Sequence, residues 1–157
     1  MRTIKHIAPV LFGIALSLSA GPAFAEGTSH NGHGASELGL TPNAGAKWQG
    51  DDNMISGMEA IRTAVAANID AIHHDHLPVE GYKSLAVVVM AQTDFMIENC
   101  ELEPAVDEQF HGVLGQIIEG ASEMEAGNQA HQGAVLVVQA LNAYGAHFEH
   151  PGWKPFN

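Results

Sequence analysis

Apolar side chains downstream of Asp51 recur at spacings of three and four residues, the period of one face of an α-helix. Asp51 or Asp52 suits the N-cap of a first helix, and Pro78 ends that helix after His76 and Leu77. The residues predicted to share its buried face are Met54, Met58, Ile61, Val65, Ile69 and Ile72. The pattern therefore predicts one continuous amphipathic helix across this stretch.

Three further helices are predicted by the same period, over about residues 81–100, 104–126 and 129–149. Pro104 suits the first turn of the third helix, and Gly127 breaks it. Their predicted inward residues are Leu85, Val88, Val89, Phe95 and Met96 in the second, Val106, Phe110, Val113, Leu114, Ile117, Ile118, Ala121 and Met124 in the third, and Val135, Val138, Leu141, Tyr144 and Phe148 in the fourth.

These helices predict an all-α fold, since no strand signal or internal repeat interrupts them. Short connections force consecutive helices to be antiparallel. Residues 51–150 are therefore expected to form an antiparallel up-down-up-down four-helix bundle. Residues 151–157 remain as a C-terminal tail.

The N-terminal part of the chain is typical of an exported protein. Residues 1–25 combine a basic start, an apolar stretch and a small-residue cleavage motif that ends at Ala25, as in a signal peptide. The apolar stretch is too short to span a membrane, so we expect a periplasmic protein without a membrane anchor. Residues 26–50 are rich in glycine and are expected to form a flexible leader, whose His30 and His33 either are solvated or bind metal weakly.

Charge and histidine content narrow the function. Without the signal peptide the chain keeps four Lys and Arg residues against 18 Asp and Glu, a net charge of −14. This charge argues against nucleic acid, which needs a basic surface. The negative charge would attract metal cations or a basic partner protein, or it only keeps the protein soluble. Nine histidines remain, and no hydrolase, metalloprotease or phosphate-loop motif is present, so we expect a binding protein and not an enzyme.

One end of the predicted bundle collects sulfur and imidazole groups. They are Met54, Met58, Met96, Cys100, His111, His147 and His150. Such ligands suit copper, and the soft sulfurs favour the cuprous state. The alternative is that the methionines fill the core. Cys100 is the only cysteine and is expected to be a buried thiol, a metal ligand or one half of an intermolecular disulfide. The protein is therefore either a monomer or a Cys100-linked dimer.

The other end of the predicted bundle carries a second histidine cluster. His73 and His76 are three residues apart, flank His74 and Asp75, and are joined at this end by His131. Nitrogen and oxygen ligands suit zinc or cupric copper. Histidines in the last turn of a helix also interact favourably with the helix dipole without any metal. Both interpretations stay open.

The C-terminal histidines allow two interpretations as well. His147 and His150 have a spacing that permits chelation. Alternatively they cap the fourth helix while Trp153 folds back over the end of the core.

Short segments of the chain resemble the cytochrome b562-like and cytochrome c′-like family of periplasmic four-helix bundles. They are Asp51-Asp52-Asn53-Met54, His111-Gly112-Val113-Leu114-Gly115-Gln116-Ile117 and Asn142-Ala143-Tyr144. The resemblance implies electron transfer by a non-covalent b-type haem, with Met54 as one axial ligand. The family's ligand histidine directly follows the Asn-Ala-Tyr segment, where this chain has Gly145, and His147 lies two residues later. No C-x-x-C-H motif is present for covalent haem attachment.

Three functions follow from these observations. The leading one is a periplasmic copper-binding carrier, buffer or resistance factor that exchanges metal with a periplasmic redox or metal-transfer protein. Its ligands are Met54, Met58, Cys100, His111, His147 and His150 at one end, and His73, His76 and His131 at the other. The second is a b-type haem electron carrier with Met54 and His147 as axial ligands. The third is a structural or interaction module whose histidines only cap helices.

Overall fold

The computed structural model describes residues 38–157, which are all-α, with five helices and no β-strand in that range. The helices are α1 (Asp52–Ala66), α2 (Ile69–His73), α3 (Val79–Asn99), α4 (Pro104–Ala126) and α5 (Ala130–His147). None of the described helices is long and apolar enough to cross a membrane. The predicted signal peptide and the leader up to residue 37 lie outside the described residues.

The first predicted helix is divided in two, contrary to the continuous helix expected from its apolar period. α1 ends at Ala66, and the Asn68 side-chain amide donates to the carbonyl of Ala64 at 2.9 Å. The backbone N–H of Asn68 bonds Val65, three residues back, and not the residue four back. An Asn side chain that bonds to the backbone in this way competes with the helical ladder. Ile72 in α2 stays buried, so the apolar face continues across the break.

Helix ends follow the predicted capping residues. The Asp51 carboxylate accepts the N–H of Met54 at 2.7 Å and, through its other oxygen, the N–H of Glu101 at 2.7 Å. It thereby caps α1 and ties the start of α1 to the end of α3. Pro104 is the first residue of α4, and Gly127 ends α4 in the left-handed conformation, with φ +82°.

The helices pack in chain order, with α1 against α3, α3 against α4 and α4 against α5. Gly120 and Gly133 let the backbones of α4 and α5 approach closely, because a Cβ on either would collide with the other's carbonyl oxygen. Most predicted inward residues are buried. Val88 was expected in the core and is instead 42% exposed, whereas Val89, about 100° further round α3, is fully buried.

α1 and α5 make few direct contacts, and the C-terminal tail packs against both of them. The Arg62 side chain on α1 donates to the Lys154 carbonyl at 2.8 Å and lies over the rings of Trp153 and Phe156. The side chain of Asn142 on α5 forms two hydrogen bonds with the Phe156 backbone.

The part of the expected leader that the structure describes, residues 38–50, contacts the helices. The N–H of Trp48 donates to His147, and the carbonyl of Trp48 accepts from Glu149, both at 2.8 Å. Thr41 bonds the side chain of Gln109 on α4 through both its N–H and its hydroxyl. This segment is therefore held beside the ends of α4 and α5.

Candidate functional site

The predicted sulfur ligands are part of the hydrophobic core. Met54 and Met58 have no exposed surface, and Met96 is 1% exposed. The sulfur of Met54 lies directly against Gly50, and that of Met96 against Gly57, so each thioether is packed on backbone. Flexible thioethers fill such irregular gaps well. These contacts match the core-filling alternative.

Cys100 is half-buried and ends α3 beside the Asp51 carboxylate. Burial raises the pKa of its thiol to about 12, and the negative charge of Asp51 adds to the rise. The thiolate is the form that binds metals and attacks disulfides. Cys100 is therefore a neutral thiol at physiological pH in the metal-free protein.

His111 and His147 each bond to their own helix. His111 Nδ1 donates to the Asp107 carbonyl at 2.9 Å and lies 3.5 Å from the Asp107 carboxylate, while 73% of the side chain is exposed. His147 Nδ1 donates to the Ala143 carbonyl at 2.9 Å. The His111 ring thus lies at the surface, whereas the methionine sulfurs with which it was grouped are buried.

His150 occupies an unexpected buried network. Its Nδ1 lies 3.0 Å from the Tyr144 hydroxyl, and its Nε2 lies 3.5 Å from a carboxylate oxygen of Glu59 on α1. Burial raises the pKa of Tyr144, so its protonated hydroxyl donates to His150. Burial also lowers the pKa of His150, although Glu59 opposes this effect. Both nitrogens of a neutral imidazole are therefore engaged within the protein.

The C-terminus matches the alternative in which Trp153 covers the core. Its indole lies directly on Gly145 and forms an edge contact with Tyr144 at 4.9 Å between centroids. A side chain at position 145 would collide with this indole. Gly145 therefore makes room for Trp153.

A haem does not fit this end of the molecule as the family resemblance requires. The second ligand position is Gly145, beneath Trp153, and Met54 is sealed in the core. The adjoining space is filled by aromatic rings, with Tyr144 stacked on Phe148 at 5.1 Å and Phe110 at 5.8 Å from Phe148. His147 donates from Nδ1 to the Ala143 carbonyl of its own helix.

At the opposite end the α2–α3 turn presents exposed histidines. Asp75 has φ +49°, a left-handed conformation, and the turn stacks the rings of His74 and His76 with their centroids 5.9 Å apart and an interplanar angle of 29°. His74 Nδ1 lies 2.7 Å from the Asp70 carbonyl. Because a carbonyl only accepts, Nδ1 carries the proton and the Nε2 lone pair of His74 is left for another partner.

The structure pairs histidines differently from the sequence prediction. His76 stacks on His74, which was not among the predicted ligands, and His73 is an exposed residue at the end of α2. His131 Nε2 donates to the Ile72 carbonyl at 3.0 Å. Within residues 38–157 no three His, Cys, Asp or Glu side chains are already arranged to hold a metal ion.

Comparisons with protein-family models, with curated proteins and with solved structures found no significant match to this chain.

Proposed function

We propose that this is an exported metal-binding protein that takes up a divalent transition metal ion, copper(II) foremost and zinc next, at the His74–His76 turn. The observation that carries the proposal is the stacked, exposed pair of imidazoles on a tight turn. Imidazole nitrogen is a ligand that both metals favour. The methionine sulfurs that favoured the cuprous ion are buried and Cys100 is half-buried, so the proposed site moves to the end that carries the α2–α3 turn.

The geometry of the pair suits chelation. Metal–nitrogen bonds of about 2.0–2.1 Å require the two donor nitrogens to lie about 3–4 Å apart. Exposed rings with centroids 5.9 Å apart reach this separation by small rotations. The bond from His74 Nδ1 to Asp70 fixes the ring and directs Nε2 outwards, the type of outer hydrogen bond that supports metal-bound histidines.

Exposure and charge point to a carrier or buffer role. Ligands on an exposed turn leave coordination positions to water, so the ion can pass to a periplasmic redox or metal-transfer protein by ligand exchange. The chain carries a formal charge of −12, which raises the local concentration of cations.

We further propose that α1, α3, α4 and α5 form an antiparallel four-helix bundle, because short connections join neighbours that pack in chain order.

A competition titration of the purified protein with copper(II) and a chromophoric chelator tests the proposal. His74→Ala and His76→Ala are each expected to weaken binding by about tenfold or more, as for loss of a ligand. His111→Ala is the matched control, since His111 is also exposed and bonded to a helix carbonyl but has no stacked partner in the described residues. Equal affinity in all four proteins would overturn the site.

A further inference from the structure

Tyr144 is buried at the inner end of a row of polar groups that leads to the protein surface. Its side chain has no exposed surface, and its hydroxyl donates to His150 Nδ1 at 3.0 Å. On the other side of the same imidazole, Nε2 lies 3.5 Å from the Glu59 carboxylate, whose side chain is 50% exposed. The buried phenol is thus connected to a surface carboxylate through one imidazole.

The geometry suits proton transfer from the phenol to the imidazole. A base takes a proton directly from a donor that lies within hydrogen-bond distance, as the Tyr144 oxygen does. Because Nδ1 of the neutral ring accepts from Tyr144, the ring's own proton is on Nε2, beside Glu59. A second proton on Nδ1 would therefore make an imidazolium next to a negative charge that stabilises it.

The Tyr144 phenol needs such a base only when it loses an electron. Burial raises the pKa of Tyr144, so the hydroxyl keeps its proton in the resting protein. Loss of an electron turns a phenol into a strong acid, and the rings of Phe110, Phe148 and Trp153 that pack on Tyr144 cannot take its proton. A positive charge left among these rings would be costly. Transfer of the proton to His150 removes that cost.

Trp153 connects the Tyr144 ring to the surface for electrons. Its indole is half-buried and makes an edge contact with the Tyr144 ring, with centroids 4.9 Å apart. The Arg62 guanidinium lies 5.6 Å from the centre of the indole, and within residues 38–157 the indole N–H has no hydrogen-bond partner. The guanidinium disfavours a positive radical on the indole, and the indole N–H has no base to take its proton. An oxidised Trp153 is therefore expected to take an electron from Tyr144.

Burial and charge restrict the oxidant. Tyr144 has no exposed surface, so its electron has to leave through Trp153 and not by direct contact. The formal charge of −12 repels anionic oxidants. A neutral or cationic species that accepts a single electron satisfies both conditions, and an organic peroxyl radical is a neutral oxidant of this kind.

We infer that Tyr144 is a redox-active tyrosine, oxidised through Trp153 by an organic peroxyl radical and deprotonated by His150. One electron passes from Tyr144 by way of Trp153 to the peroxyl radical, which becomes a hydroperoxide anion and takes a proton from water. The O–H bond of Tyr144 breaks, its proton forms an N–H bond at His150 Nδ1, and a neutral tyrosyl radical remains. This site contains neither imidazole of the proposed metal-binding pair and is independent of the proposed function.

Flash photolysis of the metal-free protein tests the inference. A photogenerated tris(bipyridine)ruthenium(III) complex replaces the peroxyl radical and removes one electron. The expected product is a neutral tyrosyl radical, identified by its visible absorption band and by its EPR spectrum after rapid freezing. Tyr144→Phe is expected to abolish this signal, and Trp153→Phe to slow its appearance. Tyr82→Phe, which replaces the only other tyrosine, is the matched control and is expected to leave the signal unchanged.

Variants of the proton acceptor assign the proton transfer. His150→Gln removes the base, so tyrosyl radical formation at pH 7.5 is expected to be at least about tenfold slower. Glu59→Gln removes only a half-exposed carboxylate and is expected to slow formation too, because the imidazolium loses the charge that stabilises it. Circular dichroism shows whether each variant is folded, and Glu59→Gln keeps the test decisive if His150→Gln is not.

The rate of radical formation should also depend on pH. Tyr144 faces His150 from α5, and Glu59 and Arg62 face it from α1. Burial lowers the pKa of His150 below its ordinary value of 6.5, with Glu59 opposing this effect and Arg62 adding to it. A protonated imidazole cannot accept from Tyr144, so the wild-type rate is expected to fall as the pH drops below 6.5.

Three results would overturn the inference. They are a radical that stays on an indole in the wild type, a tyrosyl signal that survives in Tyr144→Phe, and equal, pH-independent rates in the wild type and the folded variants of the proton acceptor. The photolysis uses metal-free protein, so its failure and failure of the proposed metal site are separable.

Discussion

The imidazole of His150 joins three parts of the chain through two nitrogens. It accepts from Tyr144 on α5, faces Glu59 on α1, and contacts the C-terminal tail, where its ring lies 4.7 Å from that of Trp153. The neutral ring makes these contacts, because burial lowers its pKa. Protonation would place the ring's second proton on Nδ1, which could then no longer accept from Tyr144.

This arrangement predicts a dependence of stability on pH. The pKa of His150 in the folded state lies below its ordinary value of 6.5, so its contribution is full above pH 6.5 and is lost as the pH falls below that value. Urea denaturation of the wild type should therefore show a falling free energy of unfolding as the pH drops below 6.5. His150→Gln should be less stable at pH 7.5 by about 1–3 kcal/mol and show a smaller fall. Parallel pH profiles of the two proteins would contradict this role.

Gly145 provides a second prediction at a single position. Gly145→Ala should destabilise the fold by about 1–3 kcal/mol, because the added methyl group collides with the Trp153 indole. Gly115→Ala is the matched control, since it lies inside α4 with nothing within 4 Å of an added Cβ. It should stabilise the protein by up to about 1 kcal/mol through helix propensity. Chemical denaturation measures both, and equal effects would contradict the packing argument.

At the scale of elements, Asp51 couples two helices. Burial raises its pKa, but hydrogen bonds from Met54 and Glu101 outweigh burial and hold the pKa below its ordinary value. Asp51→Ala should cost about 1–2 kcal/mol at neutral pH by removing the cap of α1. The difference from wild type should shrink as the pH falls below 3.8, where the wild-type carboxylate is protonated as well. A constant difference measured by denaturation down to pH 3 would contradict the cap.

The helix ends could be predicted where one residue decides them. Asp51, Pro104 and Gly127 act through local caps and dihedral angles, so their positions follow from the sequence. The end of α1 could not be predicted, because it depends on a hydrogen bond from the Asn68 side chain that competes with continued backbone hydrogen bonding of the helix. The exposure of Val88 depends on which neighbours α3 meets, and the period of a single helix does not contain that information.

At the scale of the whole molecule, the sequence predicts which residues lie at each end of the predicted bundle but not which of them are exposed. The sequence predicts that sulfur and imidazole groups gather at one end and a second histidine cluster at the other, but burial decides which of them are accessible. Met54 and Met58 are sealed, whereas His74 and His76 are exposed by the left-handed turn at Asp75. A positive φ at an Asp residue is uncommon and depends on the neighbouring structure, so spacing alone favoured His73 with His76.

Metal binding should appear in the stability of the whole protein. A ligand that binds only the folded state raises the free energy of unfolding by RT ln(1 + [L]/Kd), about 2.7 kcal/mol at a hundredfold excess over Kd. Thermal denaturation with saturating copper(II) should therefore show a higher Tm than in the metal-free protein. The measurement also separates the proposed carrier from a purely structural module, for which the Tm does not change.

The His74→Ala and His76→Ala double variant is the control for this measurement. Both side chains are exposed, so their removal should leave the metal-free Tm within about 2 °C, the shift expected for less than 0.5 kcal/mol in a domain of this size. The rise with copper(II) should then be lost. A rise in Tm that persists in the double variant would place the metal elsewhere. Cys100→Ser would then test the end of the molecule that carries the sulfur groups. Metal binding to Cys100 must first remove the proton that burial and Asp51 hold on the thiol.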